Sequence, residues 1–399
     1  MNILLFDDDK RSDLLPLAYT RPCGDLRVGI LTIAEKWEKH LNTNVSFVTE
    51  EYLAKKYPAV YTNDNYYVNG RVLLNSKLIE QIKELEINEA IWQDETLIAL
   101  RSTETHIMWE SIVEQNSSKI ETQECSLINF TYDIFQQNGS EIAADYLLLT
   151  TGRKSAPLSP TNTLIGDKVF VEEGATVEAA TLNSKNGPIY IGRNAEVMEG
   201  ATVRGPLALC ESATIKMGAK IYGDTTIGPV CKVGGEVSNT VFYARSSKGH
   251  DGYLGNSVIG EWCNLGADTN SSNLKNNYAP VKLWNYTKKR FLPSGLQFCG
   301  LIMGDHSKCG INTMFNTGTV VGVSSNIFGA SFPRNFIPSY TWGGATGFAT
   351  YSIPKAFETV RIVMLRRHIE LDEIEKEILT KVFEISSEHR FWENKPLKT

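Results

Sequence analysis

Between residues 191 and 233 every sixth position is aliphatic: Ile191, Val197, Val203, Leu209, Ile215, Ile221, Ile227 and Val233. A spacing of six matches neither the 3.6-residue turn of an α-helix nor the two-residue alternation of one strand. It predicts a short strand and a tight turn, repeated with one inward side chain each time. Three such turns close a coil of about 18 residues in a parallel β-helix. Ile165, Val171 and Val177 open the series, and the polar run at 183–188 shifts its phase and reads as a loop. Gly166, Gly192, Gly228, Gly234, Gly260 and Gly266 sit beside aliphatic positions, where sharp corners are expected to need a permissive backbone. The period breaks between 234 and 255, returns at Ile259 and Leu265, breaks again across 270–296 and resumes weakly from 302 to 327. Such breaks read as loops extruded from the prism, the places where function tends to reside.

On either side the pattern changes. Residues 3–6 and 66–74 read as strands, 33–41 and 78–85 as helices, and 146–150 as a closing strand. Strands alternating with helices predict an α/β layered domain over residues 1–155. The Ser/Pro/Thr/Gly-rich stretch 151–163 reads as a linker. The prism is expected over 164–350 and a helical tail over 354–399. In the tail Leu371, Ile374, Ile378, Leu379 and Val382 form one apolar helical face, suited to packing on the prism or on another subunit.

Composition narrows the classes. A formal charge of −6 over 399 residues disfavours a dedicated nucleic-acid binder. No apolar run approaches the ~20 residues of a membrane span. After Ile3, Leu4, Leu5 and Phe6 the chain turns acidic at Asp7, Asp8 and Asp9, unlike a signal peptide. A cytoplasmic protein with neither nucleic-acid nor membrane partners is expected. Cysteines 23, 125, 210, 231, 263, 299 and 309 form no C-x-x-C pair, so they read as reduced core thiols, with no metal site among them.

The first break carries Lys248-Gly249-His250-Asp251-Gly252-Tyr253-Leu254-Gly255. It is followed by Ile259-Gly260-Glu261-Trp262-Cys263-Asn264-Leu265-Gly266-Ala267 and then Ser272-Asn273-Leu274-Lys275. In order and spacing this resembles the acetyltransferase half of the bifunctional N-acetylglucosamine-1-phosphate uridylyltransferase/glucosamine-1-phosphate N-acetyltransferase family, in its shorter bacterial form. The resemblance implies a left-handed β-helix, acetyl-CoA as cosubstrate and a homotrimer with CoA between neighbouring prisms. An amine attacking a thioester must lose a proton, and a histidine titrating near neutrality suits that task. The resemblance assigns the general base to His250, with Glu236 near the acceptor amine and Asn273 orienting the imidazole or the sugar. Tyr253, Asn264 and Lys275 match sugar-phosphate contacts, and Ala267 falls where a backbone N–H meets the acetyl-CoA arm. Gly234 and Ser238 stand where the family has Lys and Arg, leaving Lys232, Arg245 and Lys248 as substitutes for phosphate binding. The family's oxyanion serine aligns with Ile311, beside Asn312 and Thr313. His306 reads as a coil-surface residue. The 270–296 loop, with Trp284, Tyr286, Lys288, Lys289 and Arg290, reads either as a cover for the CoA pyrophosphate or as a solvated basic run.

The run from Arg11 through Leu14-Leu15-Pro16 to Thr20-Arg21-Pro22 resembles the start of sugar-1-phosphate nucleotidyltransferases, with a Rossmann-like fold implied. The phosphate-wrapping glycines are missing, and Phe6-Asp7-Asp8-Asp9-Lys10-Arg11 stands in their place. Arg11, Arg21 and Arg27 are the candidate nucleotide contacts. The aspartates could hold Mg²⁺ with a nucleotide or form an acidic turn, and the turn is favoured because Asn69-Gly70-Arg71 offers no second carboxylate. The expected reactions are acetyl transfer to glucosamine-1-phosphate and uridylyl transfer from UTP, or another NTP, to the product. Two rivals remain: an acyltransferase on a nucleotide-linked amino sugar whose front domain only binds, and a non-catalytic scaffold or sensor.

Overall fold

The computed structural model describes residues 1–105, 118–122 and 125–393. Residues 394–399 of the expected tail lie outside the described residues. The chain forms two compact units: Met1–Leu14 with Thr20–Arg27 and Leu31–Phe130, and Leu15–Tyr19 with Val28–Ile30 and Thr131–Thr399.

The first unit is built on strands β1 (Asn2–Phe6), β2 (Val45–Val48), β3 (Asn65–Asn69), β4 (Val72–Leu73), β5 (Glu89–Gln93), β6 (Thr96–Ser102) and β7 (Ser118–Glu121). Its sheet runs β2-β1-β3-β6-β5-β7. β1 is parallel to β2 and β3, while β6 is antiparallel to β3 and β5. The apolar runs give a core of Leu4, Phe6, Val48, Tyr67, Ala90, Trp92, Leu97 and Leu100. Helix α1 (Ile33–Leu41) starts where Thr32 and Glu35 form a capping box, which satisfies two orphan N–H donors at once. Helix α2 (Ser76–Glu84) is capped by Asn75.

In the second unit the six-residue period becomes a left-handed parallel β-helix of about ten turns. Val171, Ile191, Leu209 and Ile227 stack in one inward column. Val177, Val197, Ile215 and Val233 stack in another. The next rung of that second column is Lys248. A cation in an apolar column, together with shortened steps from Val233 to Val237 and on to Phe242, is what hides the period between 234 and 255. That stretch stays in the prism: Glu236 pairs with Tyr253 and Phe242 with Ile259. The second break is an extrusion, in which Lys282–Asn285 and Arg290–Pro293 make an antiparallel hairpin.

Of the six glycines singled out from sequence, Gly166 alone has left-handed backbone, at φ +94°. Left-handed backbone occurs instead at Asn194, Ser212, Val230, Arg245, Trp262, His306, Ser324 and Tyr340, one per coil. Backbone hydrogen bonds such as Ser212 N to Arg193 O and Val230 N to Glu211 O link these corners into a column. Gly228 serves a different need: a Cβ there would lie 1.5 Å from the Tyr243 carbonyl oxygen of the next coil.

Residues 146–150 are not a strand. They end a helix, Asp133–Thr150, that belongs to the second unit. Within that unit Asn138 Oδ1 accepts from Gly29 N (2.8 Å) and Thr226 Oγ1 (3.1 Å), and its Nδ2 donates to the Asp224 carbonyl (2.8 Å). A short apolar run reads equally as buried strand or helix, and Gly139 disguised this one. Gly139 is there because a Cβ would meet Asp224 Oδ1 at 2.0 Å. The tail forms helices Ile353–Leu365 and Glu373–Ile385. Ile378, Leu379 and Val382 are buried, and Tyr340 donates its hydroxyl to the Leu379 carbonyl at 2.6 Å, so the tail packs on its own prism. All seven cysteines are buried and none forms a disulfide.

Candidate functional site

The turn Gly249-His250-Asp251-Gly252 joins Ser247–Lys248 to Tyr253–Ile259. It rests on Gly234 and Gly235 of the preceding coil. A Cβ on Gly235 would meet Gly252 O, Asp251 Cα and His250 O within 2.9 Å, and Gly235 also has φ of +74°. Beneath the turn, Lys248 Nζ donates to His250 O (2.8 Å) and Gly234 O (3.1 Å). Lys248 is 1% exposed. Burial pushes its pKa down to about 8, against the pull of Asp251 and Asp268. It is therefore committed to shaping the turn and is not the phosphate contact expected from sequence.

His250 itself is exposed, and among the described residues its imidazole makes no hydrogen bond. It lines a cleft of about 610 Å³ with Lys216, Met217, Gly234, Gly235, Gly249, Asp251, Ala267 and Asp268. The structure thus brings His250 and Ala267 together. Ala267 O accepts from Asn312 N at 2.8 Å, whereas its own N–H has no acceptor among the described residues. An imidazole and a free backbone donor facing one cavity can serve, respectively, as proton acceptor and as partner for a thioester or oxyanion oxygen.

A second group forms on the adjoining face. Asn273 Nδ2 donates to Tyr253 Oη (2.9 Å) and Asn256 Oδ1 (2.8 Å). These side chains meet over Gly255, where a Cβ would lie 2.3 Å from Tyr253 Oη and 2.7 Å from Asn273 Nδ2. This explains why Gly follows Tyr-Leu in the motif. Burial raises the Tyr253 pKa, the Asn273 hydrogen bond opposes it, and Glu236 adds to the rise. Glu236 therefore lies within electrostatic reach of the group. Asn264 is exposed on Asn264–Leu265, paired with Ser247 and Lys308.

Lys275 stands apart from the His250 cleft. It donates to Pro280 O at 2.9 Å and lines a separate 870 Å³ cleft with Trp284, Phe336, Arg334 and Phe391. Trp284 stacks on Phe336 at 4.1 Å and Tyr286 is buried, while Lys288, Lys289 and Arg290 are exposed at the hairpin tip. The loop is thus neither wholly solvated nor wholly packed. His306, expected on the surface, is 4% exposed, stacked on Trp262 and 3.8 Å from Glu375 of the tail. Arg245 pairs with Glu261 at 3.5 Å and lies over Trp262, and Lys232 is exposed.

In the first unit the candidate arginines all have carboxylate neighbours. Arg11 pairs with Asp7 (3.2 Å) and Glu50 (3.5 Å), Arg21 with Asp25 (3.4 Å) and Arg27 with Glu35 (3.5 Å). Asp7 also accepts from Cys23 N (2.8 Å) and Thr49 Oγ1 (2.6 Å). Asp8 accepts from Arg71 Nε (2.9 Å), Arg71 Nη2 and Asn69 Nδ2 (2.8 Å). Both carboxylates are already compensated by arginine, so this donor set does not fit Mg²⁺, which binds carboxylates offered to it. Among the described residues no group of three His, Cys, Asp or Glu side chains is arranged to hold a metal, and no helix is long and apolar enough to cross a membrane.

A sheet-based unit is followed by a hexapeptide-repeat prism that carries the His250 cleft. Residues 3–154 match the family model described as sugar nucleotidyl transferase. The "Bifunctional protein GlmU" of Methanocaldococcus jannaschii is 34% identical over 118 residues, 30% of this chain and 26% of that protein. The GlmU of Synechococcus elongatus is 24% identical over 185 residues, 44% of this chain and 36% of that protein. The "Uncharacterized acetyltransferase YaiX" of Escherichia coli O6:K15:H31 is 25% identical over 183 residues, 45% of this chain and 74% of that protein. The chain spans between about a fifth and two fifths of the GlmU relatives it matches. A solved structure of an Arabidopsis UDP-N-acetylglucosamine acyltransferase aligns over 61% of this chain and 84% of its own at 14% identity, with a TM-score of 0.26.

Proposed function

We propose that the prism transfers an acetyl group from acetyl-CoA to the amine of a hexosamine-1-phosphate, with His250 as general base, in a homotrimer. The observation that supports this most is the meeting of His250 and the unpartnered Ala267 N–H in one cleft. The amine nitrogen attacks the thioester carbonyl carbon while His250 takes the proton the amine gives up. The Ala267 N–H faces the oxygen on which charge builds. The C–S bond then breaks, and the departing CoA thiolate takes up a proton. Tyr253, Asn273 and Glu236 supply sugar contacts, with Asn264 and Lys275 as the remaining candidates.

For the front unit the reading is uridylyl transfer from UTP to the acetylated sugar phosphate, with Arg11, Arg21 and Arg27 as candidate phosphate contacts; its match to the sugar nucleotidyl transferase model supports this. A second reading has the front unit bind a nucleotide-linked amino sugar without turnover. It is favoured by the arginine-compensated state of Asp7 and Asp8. The test is one assay with acetyl-CoA, glucosamine-1-phosphate and UTP, scoring free thiol and pyrophosphate separately. Thiol release from a UDP-linked amino sugar but not from glucosamine-1-phosphate, without pyrophosphate, selects the second reading. No thiol with any amino sugar removes the acetyl-transfer reading. Light scattering checks the trimer, which a monodisperse monomer contradicts.

A further inference from the structure

The His250 cleft is electrically two-sided. Lys216 follows Ile215 out of its inward column, and its N–H donates to Val233 O at 2.8 Å, which places it one rung before Gly234. A Cβ on Gly234 would meet Gly249 O at 2.8 Å and Lys216 Cβ at 3.1 Å. A side chain at 234 and the Lys216 side chain thus compete for one space, and this chain gives it to Lys216. Lys216 is half-buried and, among the described residues, makes no side-chain hydrogen bond or ion pair. Holding a cation partly out of water without a counter-charge is unfavourable, so such a group awaits an anion. Of the other cations considered, Lys248 is held by carbonyls, Arg245 by Glu261 and Lys275 by Pro280, and Lys232 is exposed and does not line the cleft. Across the cleft Asp251 and Asp268 occupy adjacent rungs, with Asp268 N donating to Asp251 O at 3.0 Å. Both are exposed, and neither has a cationic side chain in ion-pair contact among the described residues. His250 lines the same cleft as Lys216, Asp251 and Asp268. Lys216 and the His250 turn are two rungs apart, roughly 10 Å of backbone at ~4.8 Å per rung, a gap that a lysine side chain and a sugar ring together bridge.

We propose that Lys216 is the anion-recognition residue of this cleft and that Asp251 and Asp268 hold the ammonium of the same acceptor. The cleft thereby selects a small zwitterion bearing both an amine and a phosphate. The inference deepens the acetyl-transfer reading and rests on it only for the acceptor's class. Calorimetric titration of the full chain with glucosamine 1-phosphate, glucose 1-phosphate and glucosamine separates the two poles. Lys216→Met is expected to weaken both phosphates about 10-fold or more and leave glucosamine unchanged, with Lys216→Arg retaining most of the affinity. The double variant Asp251→Asn/Asp268→Asn is expected to weaken glucosamine and glucosamine 1-phosphate but not glucose 1-phosphate. Unchanged melting temperatures exclude misfolding, since all three positions are at least partly exposed. Equal weakening of all three ligands by Lys216→Met, or of none, overturns the proposal. The expected affinity pattern without thiol release leaves recognition standing and removes the acetyl-transfer reading. Thiol release that ignores Lys216 does the reverse.

Discussion

The ammonium of Lys248 donates to the carbonyl oxygen of His250 at 2.8 Å, from a position that the preceding coils give to valine and isoleucine. Moving a charge into an apolar column costs several kcal/mol before its partners repay it. Replacing a buried ionic group by an apolar one of similar volume is often neutral or stabilising. Lys248→Met is therefore expected to leave the denaturation midpoint unchanged or raise it by about 1 kcal/mol equivalent, while slowing acetyl transfer about 10-fold or more as the His250 turn loosens. Chemical denaturation and thiol release on the same sample check both halves. A variant that loses stability and keeps its rate contradicts this role.

The same lysine gives a pH signature. Burial lowers its pKa from the ordinary 10.5 to about 8. Between those values the unfolded chain binds more protons than the folded one, so this group makes stability rise with pH across pH 8 to 10.5. Below about 8 both states carry the proton and the penalty is fully present. Lys248→Met removes the contribution, so urea midpoints of the variant should climb less than those of the parent across that window. Equal slopes would show that the ammonium is not desolvated.

In the first unit Asp8 depends on Arg71, which is 1% exposed. Arg71→Met leaves a buried carboxylate without its counter-charge, with an expected loss of about 3–5 kcal/mol. Adding Asp8→Asn should recover a large part of it, as coupled neighbours do not sum. A double-mutant cycle by urea denaturation measures this. Additive losses would mean that the pair does not interact.

Coil stacking is sensitive to single methyl groups. Gly228→Ala drives a Cβ into the Tyr243 carbonyl and should cost more than ~4 kcal/mol or prevent folding of the prism. Gly218→Ala meets nothing within 4 Å and carries only the strain of φ at +67°, about 1 kcal/mol. Thermal unfolding of the two variants checks the order, which reverses if conformational freedom rather than space limits these corners.

The parts of the fold that sequence revealed are those where one side chain type repeats. Ile191 through Val233 are legible because each coil needs one inward aliphatic group. The start of α1 is legible because Thr32 and Glu35 must satisfy its first N–H groups. The period vanished at Lys248 because a cation fills an aliphatic rung. The helix at Asp133–Thr150 vanished because Gly139 answers to Asp224, distant in sequence. At the candidate site, the Gly-His-x-x-Tyr-Leu-Gly frame made the placement of His250 and Tyr253 legible, since one turn and the strand it enters carry both. Lys216 had no local mark: only the stacking register sets it beside Gly234. The burial of His306 likewise comes from the Trp262 ring one coil away and from Glu375 of the tail.

Proton removal by His250 is tested most directly by the rate of thiol release from acetyl-CoA with glucosamine 1-phosphate in His250→Asn, beside the parent. The expected result is a loss of about 10²–10⁴-fold, with the melting temperature unaltered and any pyrophosphate release from UTP untouched. Thiol release at the parental rate would contradict the assignment and move the chemistry away from this cleft.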